Sequence, residues 1–167
     1  MVSEVRRSEP DTLQVVCNRV GCQSESSLNM PYSKTYDLFL SHMWRNGENT
    51  EYYRLVNLLS VVPGFRWRNY SVPQHDPLGT KTDSQLRQAL DRQIRPVNCF
   101  LVISGMYVNH RRWIQEEIDI AKSYHKPIVG VIPQGQIRIP VEVQNCSDKL
   151  VYWNGSSIAS AIREVSL

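Results

Sequence analysis

The sequence predicts an α/β domain whose parallel sheet is covered by helices on both faces. After residue 33, five short apolar runs alternate with segments of helical periodicity. Such alternation is typical of parallel strands joined by crossover helices. The runs at residues 36–42, 98–104 and 126–133 are the most continuously apolar. Strands buried on both faces have this composition, so these three belong in the middle of the sheet.

The first half of the domain contains two strands and two helices. Tyr36–His42 is the first strand, and Phe65–Tyr70 alternates as an outer strand does. The helix between them stops at Pro63-Gly64, and its apolar face is formed at i, i+3, i+4 and i+7 by Tyr52, Leu55, Val56 and Leu59. The second helix is capped by Thr82 or Asp83 and is followed by Pro96; its apolar face comprises Leu86, Ala89, Leu90 and Ile94.

The second half continues the pattern with three strands. Asn98–Ser104 is the third strand, and we expect a polar, basic turn between it and the next helix. Lys126–Pro133 is the fourth strand, and residues 135–148 are mostly loop, with room for a short helix. Lys149–Trp153 is the fifth strand, and Asn154-Gly155-Ser156 caps a final helix. The flavodoxin-like strand order 2-1-3-4-5 places the three most apolar strands centrally.

Composition limits the classes of protein that the chain can belong to. A length of 167 residues fits one domain, which we place at residues 34–167; we expect residues 1–33 to form an extension that is partly flexible or adds an edge strand. The net charge of +3 is too small, and the basic residues too scattered, to indicate a nucleic-acid partner. Neither a secretory signal nor a membrane-spanning run is present, which favours a cytoplasmic location. The cysteines and the dispersed histidines lack the spacing of a metal site.

Glu117 stands out as a candidate catalytic residue. On a helical wheel of about 100° per residue with Ile114 at zero, Glu117 lies near −60°, at the edge of the apolar stripe. Glu116 lies near 200° and should be solvated. A half-buried carboxylate one turn after Trp113 is a candidate for a raised pKa and for chemistry. The alternative interpretation is a helix-edge glutamate paired with Arg111 or Arg112.

The position of the candidate site follows from the fold. In sheets of this order, ligands bind beyond the carboxyl ends of strands 1 and 3, where Ser41-His42 and Ser104-Gly105 would meet. A carboxylate there can stabilise positive charge that develops on a sugar during glycosyl transfer. Aromatic rings such as Trp44, Tyr70 and Trp113 can stack on a base or pyridinium ring; ordinary core or interface packing is the alternative, more so for the two tryptophans than for Tyr70.

Several other chemistries lack their motifs in this sequence. Neither G-x-G-x-x-G nor G-x-x-x-x-G-K-[ST] follows any strand, so the common phosphate loops are absent. His42-Met43-Trp44-Arg45 stands where a flavodoxin needs a hydroxyl-rich phosphate loop. Ser41-His42 and Ser104 stand where a response-regulator receiver needs acidic residues.

Two segments resemble the motifs of TIR domains. Tyr36–His42 resembles their first motif box, and Trp113-Ile114-Gln115-Glu116-Glu117 resembles their Trp-x-x-x-Glu motif in the helix after strand 3. Residues 109–113 and 69–73 look most like the TIR-like branch that contains the ThsB proteins of the bacterial Thoeris anti-phage system. The resemblance covers about residues 34–165. The loop at residues 71–81 departs from the BB loop of animal and plant TIR domains, so their assembly modes are not assumed.

The resemblance implies a flavodoxin-like fold and NAD+ as substrate rather than as a cofactor. It implies cleavage of the nicotinamide–ribose bond, with transfer of ADP-ribose to an internal or external acceptor. Glu117 would then be the catalytic residue. The residues that would bind the substrate are Ser41, His42, Asn69, Tyr70, Asn109 and Trp113. The cyclic or conjugated product would act as a nucleotide messenger for a ThsA-like effector, and no metal, nucleic acid or membrane is implied.

Two further functions stay open at this point. TIR domains also serve as non-catalytic assembly modules, which would make the chain a homo-oligomer. A sensor could also hold NAD+ or ADP-ribose without cleaving it.

Overall fold

The computed structural model describes residues 34–41, 50–71 and 82–166. Within these ranges, five strands form one parallel sheet in the order β2-β1-β3-β4-β5. The strands are β1 (Thr35–Leu40), β2 (Arg66–Asn69), β3 (Cys99–Ile103), β4 (Ile128–Ile132) and β5 (Lys149–Tyr152). The flavodoxin-like order predicted from the apolar runs is therefore confirmed.

The helices alternate with the strands. They are α1 (Thr50–Ser60), α2 (Asp83–Ile94), α3 (Ser104–Ser123), α4 (Val141–Cys146) and α5 (Gly155–Val165). Two predicted caps are present: the Thr82 side chain accepts from the Gln85 N–H at the start of α2, and the Asn154 side chain accepts from the Ser157 N–H at the start of α5. The short helix allowed for within residues 135–148 is α4.

The prediction of a polar turn after β3 is wrong. Helix α3 begins at Ser104, the residue that directly follows β3. Met106 and Tyr107 are both buried, which gives the first two turns of α3 an apolar side facing the protein. The Tyr107 hydroxyl also donates a hydrogen bond to Gln115 Oε1 at 2.8 Å, eight residues further along the helix. The basic residues Arg111 and Arg112 therefore lie within the helix, on its exposed surface.

The core lies on both sides of the central strands. Every residue of β3 and β4 is buried, and so are the last three residues of β1. Strands β2 and β5 form the two edges and are partly exposed. Right-handed crossovers in this strand order place α1 on one face and α2, α3 and α4 on the other. Helix α5 packs against α1, and α2 packs against α3.

Some sequence-based expectations concern residues that the structure does not describe. The predicted extension at residues 1–33 lies outside the described ranges. Within those ranges, no helix is long and apolar enough to cross a membrane. The described side chains also contain no group of three or more histidines, cysteines and carboxylates that could hold a metal ion. Cys99 is fully buried, as predicted for a small apolar residue in a strand.

Candidate functional site

A hydrogen-bonded pair joins the end of β1 to α3. The Ser41 hydroxyl donates to Glu117 Oε2 at 2.5 Å, and both residues are 0% exposed. Ser41 follows the last residue of β1, and its main-chain N–H donates to the Leu101 carbonyl of β3 at 2.8 Å. The pair therefore lies at the carboxyl ends of β1 and β3, which is the switch point of the sheet. Glu117 is more deeply buried than the helical wheel indicated.

The side chain of Ser71 holds the end of β1 in place. Strand β2 ends at Asn69, so it is too short to pair with the last residue of β1. The Ser71 hydroxyl oxygen accepts from the Leu40 N–H at 2.6 Å and donates to the Leu40 carbonyl at 2.9 Å. It thus takes the place of main-chain groups next to Ser41. We call this contact the Ser71 bridge.

Asn69 extends the same network to α1. Its amide nitrogen donates to the Tyr52 hydroxyl at 2.8 Å, and its amide oxygen accepts from the Ser71 N–H at 3.0 Å. Burial raises the pKa of the Tyr52 hydroxyl, and the hydrogen bonds with Asn69 and Ser71 oppose that shift. Because Ser71 binds Leu40, the conformation of Asn69 is coupled to the strand end that carries Ser41.

The two adjacent glutamates of α3 lie in different environments, as predicted. Glu116 is partly exposed and forms an ion pair with Arg87 of α2. Glu117 is fully buried on the Ser41 side. The alternative interpretation, a Glu117 ion pair with Arg111 or Arg112, is wrong. Arg111 pairs with Glu142 and Arg112 pairs with Asp83, both at the surface.

Trp113 lies one turn before Glu117 on α3 and packs, partly buried, against the core. It lines a cavity of about 230 Å³ between α2 and α3, together with Leu90 and the partly exposed Glu116. The Arg112 guanidinium lies 5.2 Å from the centre of the Trp113 ring. Glu116 rather than Glu117 is therefore the glutamate that borders the Trp113 cavity. The role of Trp113 in substrate binding stays a prediction.

The remaining predicted residues are not all gathered at the pair. Tyr70 is half-buried, its N–H donates to the Leu38 carbonyl at 2.9 Å, and the Arg68 guanidinium lies 6.0 Å from its ring centre. Asn109 is exposed on α3. His42 lies outside the described residues. Among the predicted set, the structure brings Ser41 and Glu117 into direct contact and links Asn69 to them through the Ser71 bridge.

The carboxyl end of β3 carries a second polar group. Ser104 is buried and donates to Gln136 Oε1 at 2.6 Å. A Cβ atom at the adjacent Gly105 would lie 3.3 and 3.4 Å from the two carboxylate oxygens of Glu51. Glu51 belongs to the first turn of α1, so a carboxylate of α1 lies close to the start of α3.

Sequence reasoning missed Ser71, Tyr52 and Glu51. Tyr52 was assigned to the apolar face of α1, and its buried ring fits that assignment while its hydroxyl joins the network. The role of Ser71 depends on where β2 ends relative to β1, which strand patterning leaves uncertain by several residues. The contact of Glu51 with Gly105 depends on how two helices meet across the sheet, for which the sequence contains no local signal.

A parallel sheet in the order 2-1-3-4-5 with a buried glutamate at its switch point, four residues after a tryptophan, defines a TIR-like domain. Comparison with known families gives the particular family. The family described as "Thoeris protein ThsB, TIR-like domain" matches residues 39–138. The match spans more than half of the chain, and the chain belongs to this family.

Comparison with solved structures finds a distant likeness. The chain is similar to a CMP N-glycosidase, BcmB, from Clostridium botulinum, with 15% sequence identity and a TM-score of 0.49. The alignment covers 77% of this chain and 98% of that one. A likeness of this size supports no argument about activity. No curated protein matches the chain.

Proposed function

We propose that this protein cleaves the bond between nicotinamide and ribose in NAD+ and transfers the ADP-ribose group to an acceptor. The observation that carries the proposal is the buried Glu117 carboxylate, held by the Ser41 hydroxyl at the switch point of the sheet. Membership of the Thoeris ThsB family supports a role for this reaction in anti-phage defence. The product would be a cyclic or conjugated ADP-ribose derivative that activates a ThsA-like partner effector.

The chemistry of the bond explains why a buried carboxylate suits this reaction. When the ribose–nitrogen bond breaks, its electron pair leaves with nicotinamide, which becomes neutral, and positive charge moves to the ribose ring. A carboxylate beside the ring stabilises that charge in the transition state. The attraction is larger in a site of low dielectric constant than in water, and Glu117 is fully buried.

The Ser41 hydroxyl and a substrate can bind the Glu117 carboxylate together. A carboxylate offers about four lone-pair positions, and the Ser41 hydroxyl donates to Oε2. In the proposed complex, ribose hydroxyl groups donate hydrogen bonds to the same carboxylate. The Ser71 bridge fixes Leu40, and through it the position from which Ser41 reaches Glu117. Ser41 would thus orient the carboxylate, while His42, Asn69, Tyr70, Asn109 and Trp113 stay proposed contacts to the substrate.

The test compares Glu117→Gln with a matched neighbour. Glu116→Gln changes the same residue type one position away, at a surface ion pair with Arg87. Each protein is purified from cells before and after phage infection and incubated with NAD+, and nicotinamide release is measured by chromatography. We expect Glu117→Gln to lose at least about a hundredfold in rate and Glu116→Gln to retain the wild-type rate. Mass spectrometry of the product then distinguishes hydrolysis, cyclisation and conjugation.

Equal nicotinamide release by the wild type and Glu117→Gln under both conditions would contradict the enzyme proposal. Equal loss in Glu116→Gln and Glu117→Gln would instead indicate a general effect on α3. Circular dichroism of each variant separates loss of folding from loss of chemistry.

A non-catalytic assembly module is the second candidate function. The observation that favours it is an exposed apolar surface beside the loop before α4. Val108 and Val141 are 63% and 62% exposed and border one cavity, and Ile137 nearby in the chain is 95% exposed. A second copy of the chain is the proposed occupant. Val141→Glu should abolish concentration-dependent self-association in light scattering, while Val61→Glu, another exposed valine on a different face, should not.

A further inference from the structure

The Glu51 carboxylate approaches the main chain of another element unusually closely. Both of its oxygens lie 3.3–3.4 Å from where a Cβ of Gly105 would be, so any larger residue at position 105 would press on the carboxylate. Glu51 is half-buried. Within the described part of the chain, its carboxylate takes part in no hydrogen bond or ion pair. With no polar partner among the described residues, the Glu51 carboxylate is available to a ligand.

Glu51 and Glu117 reach the same edge of the sheet from opposite faces. Glu51 belongs to α1 on one face, and Glu117 belongs to α3 on the other. The Ser41–Glu117 pair lies level with Leu101, since the Ser41 N–H bonds to the Leu101 carbonyl. Gly105 is four residues further along the chain, which allows a separation of up to roughly 13 Å. A separation within this bound allows both carboxylates to contact one ligand that has two sugars joined by a diphosphate.

We propose that Glu51 binds the ribose on the adenine side of NAD+ and makes the site select NAD+ over NADP+. This inference rests on the proposed NAD+ cleavage and names the substrate preference of that site. A carboxylate accepts hydrogen bonds from the 2′- and 3′-hydroxyl groups of a ribose, as acidic residues do in NAD-binding folds. In NADP+ the 2′-hydroxyl carries a phosphate, which removes the donor and brings a charge of about −2 towards the Glu51 carboxylate.

A structural role for Glu51 accounts for only part of its geometry. An acidic residue in the first turn of α1 is stabilised by the dipole of its own helix, and the start of α3 adds a second favourable field. Neither effect requires the glycine that lets both carboxylate oxygens lie against α3. The first turn of α3 has no acidic residue and no side-chain cap of its own, and among the described residues Glu51 brings a carboxylate to it.

The experiment measures kcat/KM for NAD+ and for NADP+ in the wild type, Glu51→Gln and Glu164→Gln. Glu164 is an exposed residue of α5 paired with Lys149, and it serves as the matched control. We expect Glu51→Gln to lower kcat/KM for NAD+ about tenfold, because a hydrogen bond to a charged group becomes a neutral one. The value of kcat/KM for NADP+ should stay constant or rise. The ratio of kcat/KM for NAD+ to kcat/KM for NADP+ should therefore fall at least about tenfold.

A binding measurement keeps the inference separate from the proposed reaction. Calorimetry with NAD+ and NADP+ is done on Glu117→Gln and on the Glu51→Gln/Glu117→Gln double variant. If the wild type cleaves NAD+ through Glu117 while Glu51→Gln keeps the wild-type ratio, the inference is overturned and the proposed reaction stands. If the wild type cleaves neither nucleotide, the reaction fails, and a narrowed affinity ratio in the double variant supports the inference. If Glu117→Gln and the double variant have the same ratio of affinities for NAD+ and NADP+, or if neither nucleotide binds, the inference is overturned.

Discussion

Removal of the Ser41 hydroxyl should destabilise the protein through one identifiable hydrogen bond. Ser41→Ala removes the donor to Glu117 Oε2, at 2.5 Å in a fully buried environment. A hydrogen bond to a charged group contributes about 1.5–3 kcal/mol, and a neutral one about 1 kcal/mol. We therefore expect Ser41→Ala to lower the free energy of unfolding by about 2 kcal/mol in the wild type and by about 1 kcal/mol in Glu117→Gln.

A double-mutant cycle isolates this contact. The four proteins are the wild type, the two single variants and Ser41→Ala/Glu117→Gln, each unfolded in urea at neutral pH. The expected coupling free energy is about 1 kcal/mol, which exceeds the roughly 0.5 kcal/mol within which independent sites add. Ser60→Ala is the control, because Ser60 is exposed and donates only to the Val56 carbonyl of its own helix. It should change stability by less than about 0.5 kcal/mol.

Additive effects would refute the reasoning. If Ser41→Ala costs the same free energy in the wild type and in Glu117→Gln, the hydroxyl does not distinguish a carboxylate from an amide. Glu117 would then be neutral in the folded protein or held by other groups. Stabilisation of positive charge on the ribose ring, the role proposed for an ionised Glu117, would lose its electrostatic basis.

Three further perturbations test other parts of the structure. Ser71→Ala removes both hydrogen bonds to Leu40 and should lower the free energy of unfolding in urea by about 1–3 kcal/mol. Ser71→Thr keeps the hydroxyl and should retain most of the wild-type stability. Equal loss of stability in both variants would contradict the Ser71 bridge. Gly155→Ala would place a Cβ 2.8 Å from the Leu58 carbonyl oxygen and should lower the free energy of unfolding by about 1–3 kcal/mol. An unchanged thermal midpoint would show that α1 and α5 can separate freely. Burial raises the pKa of the Cys99 thiol from 9.0 to about 12. The thiol therefore ionises first in the unfolded chain. Its contribution to the free energy of unfolding is intact below about pH 9 and should fall by about 1.4 kcal/mol per pH unit above it. Equal slopes of the free energy of unfolding against pH for the wild type and Cys99→Ala, measured between pH 8 and 10.5, would contradict this.

The fold could be predicted because its determinants are local. Continuous apolar runs identified β3 and β4 as central strands, and Thr82 and Asn154 marked the starts of α2 and α5. The position of Glu117 towards the protein interior followed from helical geometry. Its degree of burial did not, because a wheel describes one helix and cannot include the β1 end that covers Glu117 from the sheet side.

The site depends on features that no local pattern encodes. The Ser71 bridge arises because β2 is shorter than β1, and the Glu51 contact arises where α1 and α3 converge. The polar turn expected after β3 failed for a related reason. Basic residues at positions 111 and 112 suggested an exposed turn, whereas the buried Tyr107 already anchors the helix before them.

The close approach of α5 to α1 at Gly155 bears on how this protein should be handled in the laboratory. A Cβ at Gly155 would meet the Leu58 carbonyl at 2.8 Å and the Val62 side chain at 3.0 Å, so α5 fits directly against the end of α1. Helix α1 also carries Glu51 at its other end. A truncation that removes α5 would take away the support of the helix that positions Glu51. Proteins prepared for nucleotide-binding assays should therefore keep residues up to at least Val165, with any affinity tag attached beyond it.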